Sequence, residues 1–142
     1  MTAATDDAPA KKGFALPKQR RLRARAEFQK VYSEGQRYDG RLMAAFLRAN
    51  DAAENRLGVT ASTKAIGKSV DRVRAKRLLR ELFRRSANEL SALRGRYDWV
   101  INAKRPLLTS TEELRFKEFR RIVEQVTRAE RQAPSPPGRG LG

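Results

Sequence analysis

The sequence predicts an α+β fold in the order helix, three strands, helix, strand, helix (αβββαβα), sandwich-like, with one small mixed sheet and helices packed on it. Two observations carry this expectation. Apolar residues recur at helical spacing in three separate stretches, beginning near Ala24, Ser69 and Glu112. Between them lie short runs that read as strands, bounded by polar turns and by Gly35 and Gly95.

The chain has 142 residues, enough for one compact domain with tails, and a formal net charge of +16 from 32 Lys+Arg against 16 Asp+Glu. Such an imbalance costs stability by self-repulsion unless a polyanion neutralises it. Phosphate-rich nucleic acid is the first candidate and an anionic membrane surface the second. No apolar stretch approaches the roughly 20 residues that span a bilayer, and no secretory signal core opens the chain. Cytoplasmic residence is the expectation. Cysteine and histidine are both absent, which excludes disulfides, Cys/His zinc sites and Cys- or His-based catalysis. No catalytic residue and no protein-bound metal is read from the sequence. The composition is that of a binding partner.

Residues 1–20 read as a disordered basic arm, for which a plain flexible terminus is an equally good account over the first ten. The domain is expected over 21–131. Ala24 to Glu34 has helical periodicity with Gly35 as its stop. Ala24, Phe28, Val31 and Tyr32 share one face, and the rings of Phe28 and Tyr32, four apart, lie side by side. Such a pair is either core or, if partly exposed, a stacking platform for unpaired bases. A short extended piece at 37–39 precedes a strand over 42–48. The polar turn 50–55 then leads to 56–62 as the partner strand of a hairpin. The loop Thr63–Ser69 carries Lys64, Gly67 and Lys68 and suits an anion, with Ser69 or Asp71 as the helix cap. Its glycine spacing is not that of a P-loop.

The central helix follows and fades over 90–94 before Gly95. Ala75, Leu78, Leu79, Leu82 and Phe83 gather on one side. Arg72, Lys76, Arg77, Arg80 and Arg84 lie roughly opposite, flanked by Arg74 and Arg85. A solvated basic face is the ordinary reading of such a run. Here, however, Glu81 is the only carboxylate between Arg72 and Ser86, so repulsion accumulates instead of cancelling in i,i+4 pairs, and an anionic partner is favoured. A last strand covers 96–103, closed by Pro106. Ser110-Thr111-Glu112-Glu113 reads as a capping box. It opens a helix with Phe116, Phe119, Ile122, Val123 and Val126 on one stripe. The Pro/Gly-rich tail 132–142 is expected to be disordered. By base rate the strand–helix–strand unit from Leu57 to Ala103 crosses over right-handedly.

The run from Ile66 to Glu81 resembles the signature of the bacterial ribonuclease P protein subunit, in which a loop enters a helix bearing Arg-Asn-Arg, then Lys-Arg, then Arg. Phe28 and Tyr32 resemble the aromatic pair of that family's first helix, Arg56 to Thr60 its strand before the loop, and Lys104-Arg105-Pro106 its Arg-Lys-Pro. The likeness spans about 22–130. It implies a left-handed crossover, in place of the base-rate hand, and an RNA subunit that carries the active site and its magnesium ions. The protein would then bind that RNA and the 5′ leader of precursor tRNA, as a monomer within the holoenzyme. Residue by residue, it implies that Phe28, Tyr32 and Phe46 line the leader cleft. It likewise places Arg72, Arg74, Lys76, Arg77 and Arg80 against the catalytic RNA, and Lys64, Lys68 and Arg84 extend that surface. Two features depart from the pattern. Val73 stands where the family has Asn, and the loop Thr63–Ser69 is one residue longer than usual.

Two other classes are carried beside this one. A generic basic RNA-binding or ribosome-associated domain would share the charge. A protein nuclease would need carboxylates, but Asp39, Asp98, Glu112 and Glu113 lie in different elements, the last two better explained by capping and the helix dipole.

Overall fold

A computed structural model of the chain describes residues 20–132. Apart from Arg20 and Gln132, the expected arm and tail lie outside the described residues. The elements run α1 (Arg25–Glu34), β1 (Gln36–Asp39), β2 (Met43–Ala49), β3 (Arg56–Thr60), α2 (Ser69–Arg85), α3 (Ala87–Ser91), β4 (Tyr97–Ala103), a 3₁₀ turn (Arg105–Thr109) and α4 (Glu112–Gln132). The α+β class and the single mixed sheet stand as expected.

The expected hairpin does not form. The sheet order is β1-β2-β4-β3, so β4 enters between β2 and β3, antiparallel to the first and parallel to the second. Its run Trp99-Val100-Ile101 is buried on both faces, as suits a strand in the interior of the sheet. The turn between β2 and β3 receives it. Asn50 donates from Nδ2 to Asp98 Oδ1 at 2.8 Å, and the buried Asn55 Oδ1 accepts from Tyr97 N at 2.9 Å and Trp99 Nε1 at 3.2 Å. Strand β3 becomes an edge. The segment ahead of α1 covers it, Leu22 N donating to Leu57 O at 2.8 Å.

Alternation along β4 divides the core. Trp99 and Ile101 face α2 and α4, where the rings of Trp99, Phe83 and Phe119 meet edge-on or tilted at 5.6–6.3 Å. Val100 faces α1 and forms a smaller cluster with Leu22 and Val31, joined by Phe28 and Phe46.

Gly35 is the stop expected of α1, and three other boundaries differ from expectation. Gly35 ends α1 with φ −92°, so left-handed capping is not its purpose. A Cβ there would lie 2.5 Å from Leu47 O and 2.6 Å from Val31 O, and close approach is what requires glycine. Lys68, and neither Ser69 nor Asp71, is the N-cap of α2, without a side-chain cap. The central helix breaks at Ser86, which is buried, and resumes as the short α3. Thr111 caps α4 by accepting from Leu114 N at 3.2 Å, while Ser110 instead donates to Leu107 O at 2.6 Å.

The turn between β1 and β2 closes on a buried carboxylate. Glu118 of α4 accepts from Arg41 N, Leu42 N and Met43 N at 2.9, 2.9 and 3.1 Å. Gly40 must stay without a side chain, since a Cβ would fall 2.4 Å from Glu118 Oε2.

At the start of α1 the cap residue, Ala24, has no acceptor to offer. Glu27 instead reaches back to the amides at and just ahead of the cap, accepting from Arg23 N at 2.9 Å and Ala24 N at 3.1 Å. These amide bonds, with Arg56 nearby, hold its carboxyl below the ordinary glutamate range. A depressed folded-state pKa gives stability that is present above the unfolded pKa and lost as pH falls through the folded one. Glu27→Gln is therefore expected to cost about 1 kcal/mol or less at neutral pH, because the group is partly exposed. The difference from the parent should vanish in acid below the carboxylate range. Urea unfolding at a series of pH values measures it.

Candidate nucleic-acid interface

Sheet register sets one row of side chains under α1. Arg37, Phe46, Val100 and Gly58 lie abreast across β1, β2, β4 and β3, all on the same face. Phe28 drops onto the glycine. A Cβ at Gly58 would stand 2.5 Å from Phe28 Cζ, so only the bare backbone lets this ring sit on the sheet. Val31 beside it is fully buried, and Tyr32, one position on, is 39% exposed. The Tyr32 ring meets Phe46 edge-on at 4.9 Å and 84°, and the Arg37 guanidinium lies 5.5 Å from the Phe46 centroid on the other side. The three aromatics expected to act together are thus brought together. They are partly core, as spacing allows, and partly open.

A second row two residues along holds Asp39, Ala44, Asn102 and Thr60. Tyr32 donates its hydroxyl to Asn102 Oδ1 at 2.8 Å, and Thr60 donates to the same oxygen at 2.7 Å. At the opposite end of the face, α1 is tied down by charge. Arg48 pairs with Glu34 at 2.7 Å, and Arg56 reaches Glu27 at 3.4 Å while holding Asp98 through two bonds of 2.8 and 2.9 Å. The bond to Asp98 lifts the Arg56 pKa, and the bond to Arg48 lowers that of Glu34.

Helix α2 packs Ala75, Leu79, Leu82 and Phe83 inward and turns its cations out. Lys64, Lys68, Arg74, Arg77 and Arg80 are exposed, and Arg72, Lys76 and Arg84 are half-buried. Two of these arginines also hold the protein's own backbone: Arg72 Nε donates to Gly67 O and Arg74 Nη1 to Leu108 O, each at 3.1 Å. Arg85 packs on the Phe116 ring and pairs with Glu112. Val73 is 54% exposed and Val70, one turn earlier, 73% exposed, so an apolar strip lies open within the cationic surface.

The loop ahead of α2 is fixed from several sides. Gly67 takes φ +101°, a left-handed conformation that favours glycine. Ala65 N donates to Ser62 Oγ at 3.0 Å, and Arg105 donates to Ile66 O. Arg105 is a part of the site that periodicity did not single out. Its neighbour Lys104 bonds Asp39 at 2.9 Å and Gly40 O at 2.7 Å, and this pairing, with Arg37, lowers the Asp39 pKa.

The two surfaces meet over the edge strand. A pocket of about 340 Å³ is lined by Phe28 from α1, Arg80 from α2, Gly58 and Val59 of β3, and Arg21 and Arg23 of the covering segment. Partial desolvation where its side chain lines the pocket, and then the nearby guanidinium groups of Arg21 and Arg77, push the Arg80 pKa below the ordinary arginine value. Like charges gathered at a pocket mouth suit an anion. The carboxylates considered for a nuclease do not converge: Asp39 pairs with Lys104, Asp98 with Arg56, and Glu112 with Arg85. Among the described residues no group of three or more acidic side chains could hold a metal ion. No helix among them is long and apolar enough to cross a membrane.

An aromatic cleft on one sheet face, joined at its edge to an arginine-rich helix, defines a polyanion-binding α+β protein. Comparison with known proteins makes this specific. The family model for ribonuclease P matches residues 16–127, and the chain belongs to the ribonuclease P protein family. It is 33% identical over 105 residues to the ribonuclease P protein component of Fusobacterium nucleatum, covering 74% of this chain and 91% of that one. To the component of Coxiella burnetii it is 31% identical over 124 residues, covering 87% and 98%. The RNase P protein of Thermotoga maritima superposes with TM-score 0.59 at 28% identity, covering 76% of this chain and 96% of that one. The Staphylococcus aureus protein does so with TM-score 0.63 at 23% identity, covering 75% and 94%, and this second likeness shows the fold alone. The chain is accordingly a protein subunit of ribonuclease P, which associates with the RNA of that enzyme.

Gly58→Ala tests the cleft's construction. The methyl group must displace Phe28, at an expected cost of about 1–3 kcal/mol. Urea unfolding reads the loss, and aromatic NMR should show a shifted Phe28 ring while signals from Trp99 stay in place.

Proposed function

We propose that the chain grips two RNA elements at once: the catalytic RNA along α2, and the 5′ leader of precursor tRNA in the cleft under α1. The observation that carries this is the shared pocket, in which Phe28 and Arg80 face one space across the edge of β3. Phosphates would be met by Lys64, Lys68, Arg72, Arg74, Lys76, Arg77, Arg80 and Arg84, which fix position without reading sequence. Unstacked leader bases would lie against Phe28, Tyr32 and Phe46, where ring faces accept any base.

In this reading the active site and its magnesium ions belong to the RNA subunit, and the protein contributes no reacting group. Its own part is to hold the leader and to lower the repulsion between two RNA strands brought close. That lets the RNA bind magnesium at lower concentration and release the mature tRNA 5′ end. The chain would act as a monomer within the holoenzyme, in the cytoplasm. A role confined to generic RNA binding is not favoured by the family match.

Reconstitution with ribonuclease P RNA from the same genome tests the proposal directly. Cleavage of precursor tRNA at low magnesium is expected only when the protein is present. Binding without stimulation would overturn the leader-gripping role.

Charge reversal at Arg77 or Arg80 should weaken association with the catalytic RNA and lower the slope of log K against log salt by about 1 or more. Filter binding across a salt series measures it, and an unchanged slope would remove α2 from the interface.

A further inference from the structure

We propose that Asn102 reads one base of the leader by donating a hydrogen bond to an acceptor on that base. The inference deepens the assignment of the cleft to the leader and rests on it.

Asn102 lies on the central strand, two residues from Val100 and on the same sheet face. Its neighbours along the strand, Ile101 and Ala103, are buried, and an apolar residue would serve the sheet equally well. An amide placed there needs partners. Two hydroxyls supply them, from different elements: Tyr32 of α1 at 2.8 Å and Thr60 of β3 at 2.7 Å, both donating to Oδ1. One carbonyl oxygen has two lone pairs, and both are filled. This clamp fixes the plane of the amide and directs its NH₂ group away from the two hydroxyls. Among the described residues no protein acceptor meets Nδ2, and Nδ2 is not among the buried polar atoms that lack a partner, so it is not sealed from solvent. The result is an oriented donor with no protein partner, held on a rigid strand.

Its position matters as much as its polarity. Tyr32, which supplies half of the clamp, is also the most exposed ring of the cleft, turned edge-on against Phe46 at 4.9 Å. A base stacked on Tyr32 brings its own edge toward the amide held by the same side chain. The donor then selects a base with a carbonyl oxygen or a ring nitrogen at that edge, and disfavours one that presents an amino group. A phosphate oxygen is also an acceptor. A single neutral donor in the row next to Val100 and Phe46 fits a base better, because the cationic helix α2 already offers guanidinium groups to phosphate.

The test uses the holoenzyme assembled from the full chain and ribonuclease P RNA, with a pool of precursor tRNAs randomised through the leader. Products of competitive cleavage are sequenced. The parent is expected to discriminate bases at one leader position. Asn102→Asp keeps Oδ1 for both hydroxyls and exchanges the donor for an acceptor. It should reduce that discrimination by about three- to tenfold and leave the other positions as they were. Thr60→Val, which loosens the clamp without removing the donor, should reduce it by less. Should Asn102→Asp fail to fold, Asn102→Val carries the same measurement, since valine suits a central strand.

A uniform slowing of all leaders by Asn102→Asp, with the profile unchanged, would mean that the new carboxylate repels RNA while no base is read at this position, and would overturn the inference. So would a parent enzyme with no base preference. Tyr32→Ala separates this failure from that of the cleft itself. If Tyr32→Ala weakens precursor relative to mature tRNA while the Asn102 variants keep the parental profile, the leader does lie in the cleft and Asn102 does not read it. If Tyr32→Ala affects both RNAs equally, the leader assignment falls, and the inference with it.

Discussion

The placement of β4 is the constraint on which the rest of the structure depends. A strand that carries Trp99, Val100 and Ile101 in succession must be covered on both faces, so it takes the interior of the sheet and drives β2 and β3 apart. Two consequences follow. β3 is left at the edge, which lets α1 and α2, on opposite faces, approach each other around it. The strand also contributes alternately to both sides: Trp99 and Ile101 to the large core, Val100 and Asn102 to the cleft. Asp98 at its start is held by Arg56 and Asn50, so the entry of β4 and the seating of α1 share one ion-pair network.

Charge is partitioned in the same spirit. With 32 cationic side chains and 16 acidic ones, the chain cannot neutralise itself. The acids are set to structural tasks. Glu118 closes the β1–β2 turn, Glu27 caps α1, and Glu130 accepts from Arg94 N, Gly95 N and Tyr97 at the entrance to β4. Bound to amides and hydroxyls, these carboxylates do not screen the outward face of α2, whose one acid beyond the first turn is Glu81. Desolvation first, and then the repulsion this leaves from Arg21 and Arg77, lower the pKa of Arg80. A phosphate would relieve that repulsion.

Much of this was legible in the sequence, and the parts that were not share a cause. Helical periodicity located α1, α2 and α4 because each buries a stripe, and the spacing of Phe28 and Tyr32 put both rings on one face. Strand order was illegible. A six-residue polar turn between two apolar runs predicts a hairpin on local grounds, and what defeats it is the binding of Asn50 and Asn55 to a strand more than forty residues later. Everything that depends on register was hidden with it. In the sequence Gly58 is an ordinary strand residue, and only the Phe28 ring packed against it explains its lack of a side chain; Asn102 and Thr60 become partners only because β4 and β3 are neighbours. Phe46 entered through family likeness, since on periodicity alone it was one apolar strand residue among several. The cap of α4 shifted from Ser110 to Thr111 because the 3₁₀ turn ahead of it takes the Ser110 hydroxyl.

The two surfaces differ in chemistry, and on the proposed reading the difference gives them distinct roles. Contacts from α2 would be cationic, and their strength would fall with salt because each neutralised phosphate releases counterions. Contacts in the cleft would be ring faces and one oriented amide, which salt touches little. Val70 and Val73 modify this division. They place apolar surface within the cationic helix face, which suits sugar or base better than phosphate. Arg72 and Arg74, on either side of Val73, are anchored to the loop and to the 3₁₀ turn. Those backbone bonds, in which the Val73 side chain takes no part, brace the start of the helix whatever residue stands between the two arginines.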